Sequence, residues 1–386
     1  MCLRNWTART AFAAAIAIFP AAGYGQSLTQ VLAHTYENSP TLASAFLSVR
    51  AAGQGIRSAE GAYLPTIGAS ASLNATANIV PGLGTSVTTT DQFGISYSQT
   101  IFDNFASDAA IRAAQESYEA ARQGAANTEQ NVLLEAATAF YNVILNRRIV
   151  DIRRENLGFV QTQLNAARER LDLGEGTRLD VAQAESSQAQ AQASYQAAVN
   201  NLTISEAQFM SAVGMPPAGL SENLNVERLI PASVDSALAA AEQGHPALLA
   251  SAAQIRAAAF QAEQTVASFG PTVSLTGQAG VGGFTGDTVA GQVRVGVSLS
   301  VPIYTPARDP AVEQANIARM RSEVDAYATR DQVYEAIRQA WAGYSSANSQ
   351  IQSATAAVAA TRLALDAVID QSEVGQATTL DILDAR

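Results

Sequence analysis

The sequence predicts an α+β membrane protein in which long antiparallel coiled-coil helices are joined to four transmembrane β-strands. Four segments alternate between apolar and uncharged polar residues with a period of two, which is typical of strands with one face in lipid. Residues 105–171 contain no proline and little glycine, which indicates one helix about 100 Å long. The order helix, strand, strand, helix occurs twice, so we expect an internal repeat.

Residues 1–25 are predicted to be a secretory signal peptide. Arg4 and Arg9 form its basic region, residues 11–19 its apolar region, and residues 21–25 a small-residue cleavage region. Cys2 is the only cysteine and lies in this segment, so the mature chain has no thiol for disulfides or catalysis.

Residues 26–213 are predicted to be the first structural repeat. The pair Leu64-Pro65 ends its opening helix, and the turn 173–177 contains two glycines that separate the long helix from a return helix. Its predicted elements are a helix over 26–60, strands over 67–79 and 92–101, the long helix, and the return helix over 179–213.

Residues 214–243 read as a linker, and residues 244–386 as the second structural repeat. Pro40 and Pro246 are 206 positions apart, and Gly174 and Gly375 are 201 apart, so the turns recur almost in register. The predicted strands of this repeat are 272–281 and 292–301.

An aromatic residue flanks each strand at the edge where helices join strands. This is the position of an interfacial girdle in a membrane barrel. The four aromatics are Tyr63, Phe102, Phe269 and Tyr304.

Four strands cannot close a barrel with a usable lumen, and an open sheet edge is not tolerated in lipid. We therefore expect several copies to share one barrel. Three copies would supply twelve strands, an even number within the range known for such barrels.

The charge balance argues against a nucleic-acid partner. The chain has 23 basic and 34 acidic residues, and every basic residue is arginine.

Several segments, in their order and spacing, resemble the TolC family of outer-membrane export channels. The likeness covers essentially the whole mature chain. It implies a homotrimer with a twelve-stranded barrel in the outer membrane of a Gram-negative bacterium and an α-helical tunnel in the periplasm. It also implies docking to a periplasmic adaptor (membrane fusion) protein and to an inner-membrane ABC or proton-driven transporter. The segments are the helices of Pro40 and Pro246, and residues 99–103, 137–143, 174–180 and 375–381.

The resemblance implies that the two turns form the periplasmic tip where an adaptor docks. The alternative is a plain helix-turn-helix corner, since Thr177 and Thr378 each begin a Thr-x-x-Asp helix start. The implied docking residues are Gly174, Glu175, Gly176 and Thr177, with Gly375, Gln376, Ala377 and Thr378.

Asp381 and Asp384 are expected to form a pore gate, together with Asp180 in the first turn. Being three residues apart, Asp381 and Asp384 share a helix face, and threefold symmetry would make each a carboxylate ring that selects cations.

The resemblance does not supply partners that would lock this gate. Ser372 and Ala377 stand where the family pattern has a tyrosine and an arginine, which leaves Arg178 or Arg386 as candidates.

The favoured function is a passive outer-membrane exit duct serving type I protein secretion. Small-molecule or drug efflux is the alternative, and a periplasmic coiled-coil adaptor or scaffold is a third reading that leaves the lipid-like strands unexplained. No catalytic, cofactor or metal-binding motif is expected, because His34 and His245 lie on separate helices without cysteine or acidic clusters.

The second repeat stops a few residues after its turn, whereas the first continues for more than 30. The sequence is therefore expected to be a fragment lacking most of its last return helix.

Overall fold

The computed structural model describes residues 26–80, 84–221, 230–284, 289–374, 376–378 and 381–382. The predicted signal peptide lies outside these residues. The helices are α1 (Leu28–Asn38), α2 (Pro40–Glu60), α3 (Ala106–Asp172), α4 (Arg178–Val213), α5 (Val234–Gly244), α6 (Pro246–Ala267) and α7 (Arg308–Glu373). The strands are β1 (Thr66–Val80), β2 (Gly84–Phe102), β3 (Thr272–Gly282) and β4 (Ala290–Ser300).

The single helix predicted over 26–60 is wrong, because the chain breaks at Ser39 into α1 and α2. Proline disfavours helical backbone in the residue before it, and Ser39 accordingly has φ −68° and ψ 121°. The Ser39 N–H still donates to Thr35 O at 2.9 Å, which closes α1.

The predicted linker over 214–243 contains a helix, α5. Ser233 caps this helix, since its Oγ accepts from the Ser236 N–H at 3.2 Å. The glycine and proline residues that suggested a linker end at Pro231, before the cap. The irregular segment is therefore shorter than the composition indicated.

The four strands form one antiparallel sheet in the order β1-β2-β3-β4. β2 begins at Gly84 rather than at the predicted Gln92. Residues 85–90 are mostly threonine and serine and have no apolar face of their own, but they pair with the far half of β1, from Thr90 opposite Asn74 to Thr85 opposite Ile79.

A bulge at Ile101 changes the register near the end of β2. Thr100 pairs with Ser274, and Phe102 rather than Ile101 pairs with Val273. The bulge therefore moves Phe102 into the row of side chains that Ile101 was predicted to occupy.

The chain divides into two compact units. One contains residues 26–39, 133–221 and 361–382 among those described, and its core lies where α1, α3 and α4 meet. The buried residues of this core are Val31, Ala136, Ala139, Phe140, Val143, Phe209 and Val213.

The other unit contains the sheet, α2, α5, α6 and the adjoining parts of α3 and α7. Its buried helical positions are mostly alanine, which lets helix backbones approach closely. Arg256 on α6 and Glu116 on α3 form an ion pair at 2.8 Å across this packing. Within the described residues, no helix combines the length and hydropathy that crossing a bilayer requires.

Candidate functional site

The sheet has one apolar face. Up to the bulge at Ile101, cross-strand pairing aligns the odd-numbered residues of all four strands, as in the row Ala69, Ile95, Ala279 and Val293. Ile67 is 72% exposed and Val293 80% exposed, so these large side chains contact little of their own chain. A broad exposed apolar face of this kind indicates contact with lipid or another protein.

The opposite face is polar and almost uncharged. The even-numbered residues supply hydroxyls, amides and glycines, and Ser274 Oγ lies 2.8 Å from Ser298 Oγ across β3 and β4. Arg294 is the single basic residue on the strands, and Asp91 the single acidic one. Neither residue was singled out from the sequence, although each stands out as a charge within an uncharged strand.

The register places all four predicted aromatics at the sheet edge where helices begin and end. Tyr63 directly precedes β1 and Phe102 ends β2, while Phe269 precedes β3 and Tyr304 follows β4. Gln99 Nε2 donates to Tyr63 O at 3.0 Å, which ties this edge to β2. Their role at a membrane interface stays a prediction.

The first predicted docking turn ends α3 in a Schellman motif. Gly174 has φ +78°, and the Gly174 N–H donates to Leu171 O at 3.0 Å. The Glu175 N–H donates to Arg170 O at 2.8 Å. These two bonds satisfy carbonyls that the end of a helix leaves without partners.

The second turn repeats this arrangement in the part that the structure describes. The Gln376 N–H donates to Gln371 O at 2.8 Å, which matches the bond from Glu175 to Arg170. Ala377 and Thr378 follow as Gly176 and Thr177 do. Gly375 and Asp384 lie outside the described residues.

Each turn is followed by a reciprocal cap. Thr177 Oγ1 accepts from the Asp180 N–H at 3.2 Å, while Asp180 Oδ2 accepts from the Thr177 N–H at 2.9 Å. The corresponding distances between Thr378 and Asp381 are 3.3 Å and 2.7 Å. The capping alternative for these aspartates is therefore present in the structure, and their role as a gate stays a prediction.

The caps lower the pKa of both carboxyl groups. The Thr177 hydroxyl, and then its backbone N–H, holds the pKa of Asp180 below its usual value. For Asp381 the Thr378 N–H contributes most to the lower pKa, followed by the hydroxyl. Hydrogen bonds donated to a carboxylate favour its charged form.

Exposed aliphatic side chains flank the turns and were not predicted as site residues. Leu173 is 76% exposed and Leu179 64% exposed on either side of the first turn, and Val374 is 70% exposed before the second. Their signal in the sequence is an apolar residue next to a glycine-rich turn.

Neither histidine belongs to a metal cluster among the described residues. His34 Nδ1 lies 3.3 Å from Asn38 Nδ2 on α1, and His245 Nδ1 accepts from the Ala247 N–H at the start of α6.

An amphipathic sheet whose strands lead into helices of 66 and 67 residues defines a membrane channel component. The chain belongs to the outer membrane efflux protein family, whose profile matches residues 31–215 and 237–386. It is thus an outer-membrane efflux or export channel protein and not an enzyme.

Relatives agree with this assignment, and a solved structure shares the fold. The outer membrane efflux protein BepC of Brucella suis is 35% identical over 375 residues, covering 95% of this chain and 80% of BepC. The outer membrane protein TolC of Vibrio cholerae is 24% identical, covering 96% of this chain and 86% of that protein. The CmeC outer membrane channel of Campylobacter jejuni matches with a TM-score of 0.82 at 18% identity, covering 93% of this chain and 79% of CmeC.

Proposed function

We propose that three copies of this chain form a passive exit duct through the outer membrane. The carrying observation is the division of the sheet into an exposed apolar face and a polar face whose one charged residue is Arg294. In a closed barrel the first would contact lipid and the second would line a water-filled lumen.

The edges of the sheet support assembly from several copies. Among the described residues, β1 pairs only with β2 and β4 only with β3, so each edge strand has one side without a partner. Unpaired backbone groups cost several kcal/mol each in lipid. Pairing β4 of one copy with β1 of the next satisfies both edges, and three copies close twelve strands.

The two turns are the proposed docking tip for a periplasmic adaptor. Their matching backbone bonds present two similar rigid corners, and the exposed side chains of Leu173 and Leu179 offer an apolar surface. An inner-membrane transporter, of the ABC or proton-driven type, completes the proposed export system.

This proposal has two versions, which differ in the cargo that the duct exports. The sequence favoured type I protein secretion, which stays a prediction. BepC, at 35% identity, is named an efflux protein, which favours the efflux version. Complementing a strain that lacks its own duct distinguishes them, because efflux restores resistance to toxic compounds and secretion restores export of a protein.

Cross-linking tests the shared barrel. Ile67 and Leu299 both lie on the apolar face near the helix-side edge, one on each edge strand. The double variant Ile67→Cys/Leu299→Cys, treated with a short thiol cross-linker in membranes, should give a covalent trimer on a denaturing gel.

The matched control is Ile67→Cys/Val293→Cys, in which the second thiol lies six residues further along β4 on the same face. That pair should stay monomeric. Cross-linking of the control as efficiently as of the test pair, or a monomer in both, counts against the proposed closure.

A further inference from the structure

Arg294 lies on the polar face of β4. It pairs with Gln278 on β3, which in turn pairs with Ser96 on β2, so the three residues form one row across the sheet. The neighbouring odd residues Val293 and Val295 belong to the apolar face. In the proposed duct the guanidinium of Arg294 therefore faces the lumen.

A hollow opens in the polar face next to Arg294. Its volume is about 250 Å³, and it lies over Gly94 and Gly280, which pair with each other and have no side chains to fill it. Gln92, Gln278 and Gln292 also line it. With Arg294 they offer amide and guanidinium N–H donors, whereas none of the described residues that line the hollow carries a carboxylate.

Arg294 makes no ion pair with the described part of the chain. The single carboxylate on the strands, Asp91, stands opposite Leu73 in the apolar-face register. Its Oδ2 accepts from the Phe284 N–H at 2.8 Å, so it is held by the end of the β3 segment. The charge of Arg294 is thus available to a molecule in the lumen.

We propose that Arg294 and this hollow attract and transiently bind anionic groups, carboxylates or phosphates, as cargo passes through the barrel. The inference rests on the proposed duct, in which three copies place three such sites around the lumen. Rings of arginine or lysine favour anions in pores. A guanidinium beside amide donors matches the geometry of carboxylate and phosphate oxygens.

Charge-selective thiol labelling in intact cells tests the proposal, because Cys2 in the predicted signal peptide is the only cysteine. The reporter is Gln292→Cys, two residues from Arg294 on the same face. The readout is the ratio of its reaction rates with an anionic and a cationic methanethiosulfonate. Adding Arg294→Gln should lower this ratio about fivefold. The positive charge two residues away attracts the anionic reagent and repels the cationic one, and physiological salt screens it only in part. Arg294→Lys should keep most of the ratio, because the charge remains.

A second reporter, Ser298→Cys, controls for general effects of the substitution. It lies four residues from Arg294, about 13 Å along the strand, which exceeds the Debye length in physiological salt. Its ratio should change by less than twofold. Inorganic pyrophosphate is the binding probe and should slow the anionic reagent at the Gln292→Cys thiol, but not once Arg294→Gln is added.

The proposal is overturned if Arg294→Gln leaves the ratio at position 292 unchanged, or if pyrophosphate gives no protection in the presence of Arg294. A third reporter, Val293→Cys, separates this result from a failure of the duct. If the thiol at 293 reacts as fast as the thiol at 292 with each reagent, both faces of the sheet are equally accessible to water. That result would reject a lipid-embedded sheet. If only the thiol at 292 reacts, and Arg294→Gln leaves its ratio of anionic to cationic reaction rates unchanged, only the anion site is rejected.

Discussion

Asp180 and Asp381 each hold the first turn of a helix by accepting a hydrogen bond from a threonine N–H three residues earlier. Because both pKa values are lowered in the folded chain, the carboxylates stabilise the caps above the unfolded pKa of about 4. That contribution is lost as the pH falls through the lowered folded pKa.

Replacing Asp180 with alanine should remove this pH dependence at the first turn. We expect hydrogen exchange of the 177–180 amides, corrected for intrinsic rates, to show protection in the wild type at pH 6.5 that declines by pH 3, at pH values chosen about the reference pKa. Asp180→Ala should show low protection at both values. Equal protection in the two proteins at pH 6.5 would show that the carboxylate does not hold the cap.

Gly174 and Gly176 in the same turn should respond differently to alanine. Gly174 has φ +78°, so Gly174→Ala should cost about 1–2 kcal/mol of local stability. At Gly176 a Cβ would lie 3.0 Å from Leu171 N, yet Ala377 occupies the matching position of the second turn with the same backbone bond beside it. Gly176→Ala should therefore be nearly neutral.

Exchange of the Glu175 amide, which donates to Arg170 O, measures both variants. A larger loss of protection in Gly176→Ala than in Gly174→Ala would contradict the comparison.

At the scale of single residues, only part of the structure of the two turns could be read from the sequence. The Thr-x-x-Asp pattern at Thr177 and Thr378 offered the caps as the alternative to a docking tip and gate, because capping depends on residue type and spacing alone. It could not show the bonds from Glu175 to Arg170 and from Gln376 to Gln371, since any residue can donate a backbone N–H. Arg294 was missed for a related reason, because its importance depends on the glycines of two other strands.

Among the elements, α3 is anchored in the core by Phe140. This side chain is fully buried with Phe209 of α4 and Val31 of α1, whereas the adjacent Tyr141 is 39% exposed. The two aromatics touch edge to face, with ring centroids 5.5 Å apart.

Truncating these neighbours should separate core packing from surface contact. Phe140→Ala should destabilise the helical unit by about 3–5 kcal/mol, because it leaves a cavity in a close-packed core that can collapse only in part. Tyr141→Ala should cost about 1 kcal/mol or less, as is usual for exposed positions. Denaturant titration of the detergent-solubilised protein, followed by helical circular dichroism, compares them; similar midpoints would contradict this account of the core.

The strands show which elements a sequence can delimit. Alternation placed the ends of β1, β3 and β4 within two residues, because apolar residues recur at every second position along most of each strand. It missed the first eight residues of β2, from Gly84 to Asp91, because a run of threonines has no distinct faces and pairing with β1 decides its structure. The break at Ser39 was missed although Pro40 signals it, because proline disfavours helical backbone in the residue before it.

For the whole molecule, threefold symmetry would multiply every charge at the pore. We expect Asp381→Asn combined with Asp384→Asn to reduce cation selectivity in planar bilayers, because two carboxylate rings are lost. Asp381 also caps a helix with Thr378, so Thr378→Ala is the control that loosens the same cap and keeps all the carboxylates. Unchanged reversal potentials in the double variant would exclude the gate.

The sheet is uneven in height. Its β3 and β4 strands have 11 residues each, the length at which a tilted strand spans a bilayer. The β1–β2 pairing continues for eight more residue pairs, from Leu73 opposite Asp91 to Val80 opposite Gly84, or about 26 Å along the strands. In a closed barrel of three copies, these extra residue pairs would form three β-hairpins that extend beyond the lipid around the rim of the barrel. Antibodies or phage approaching the cell would contact these hairpins before any other part of the barrel.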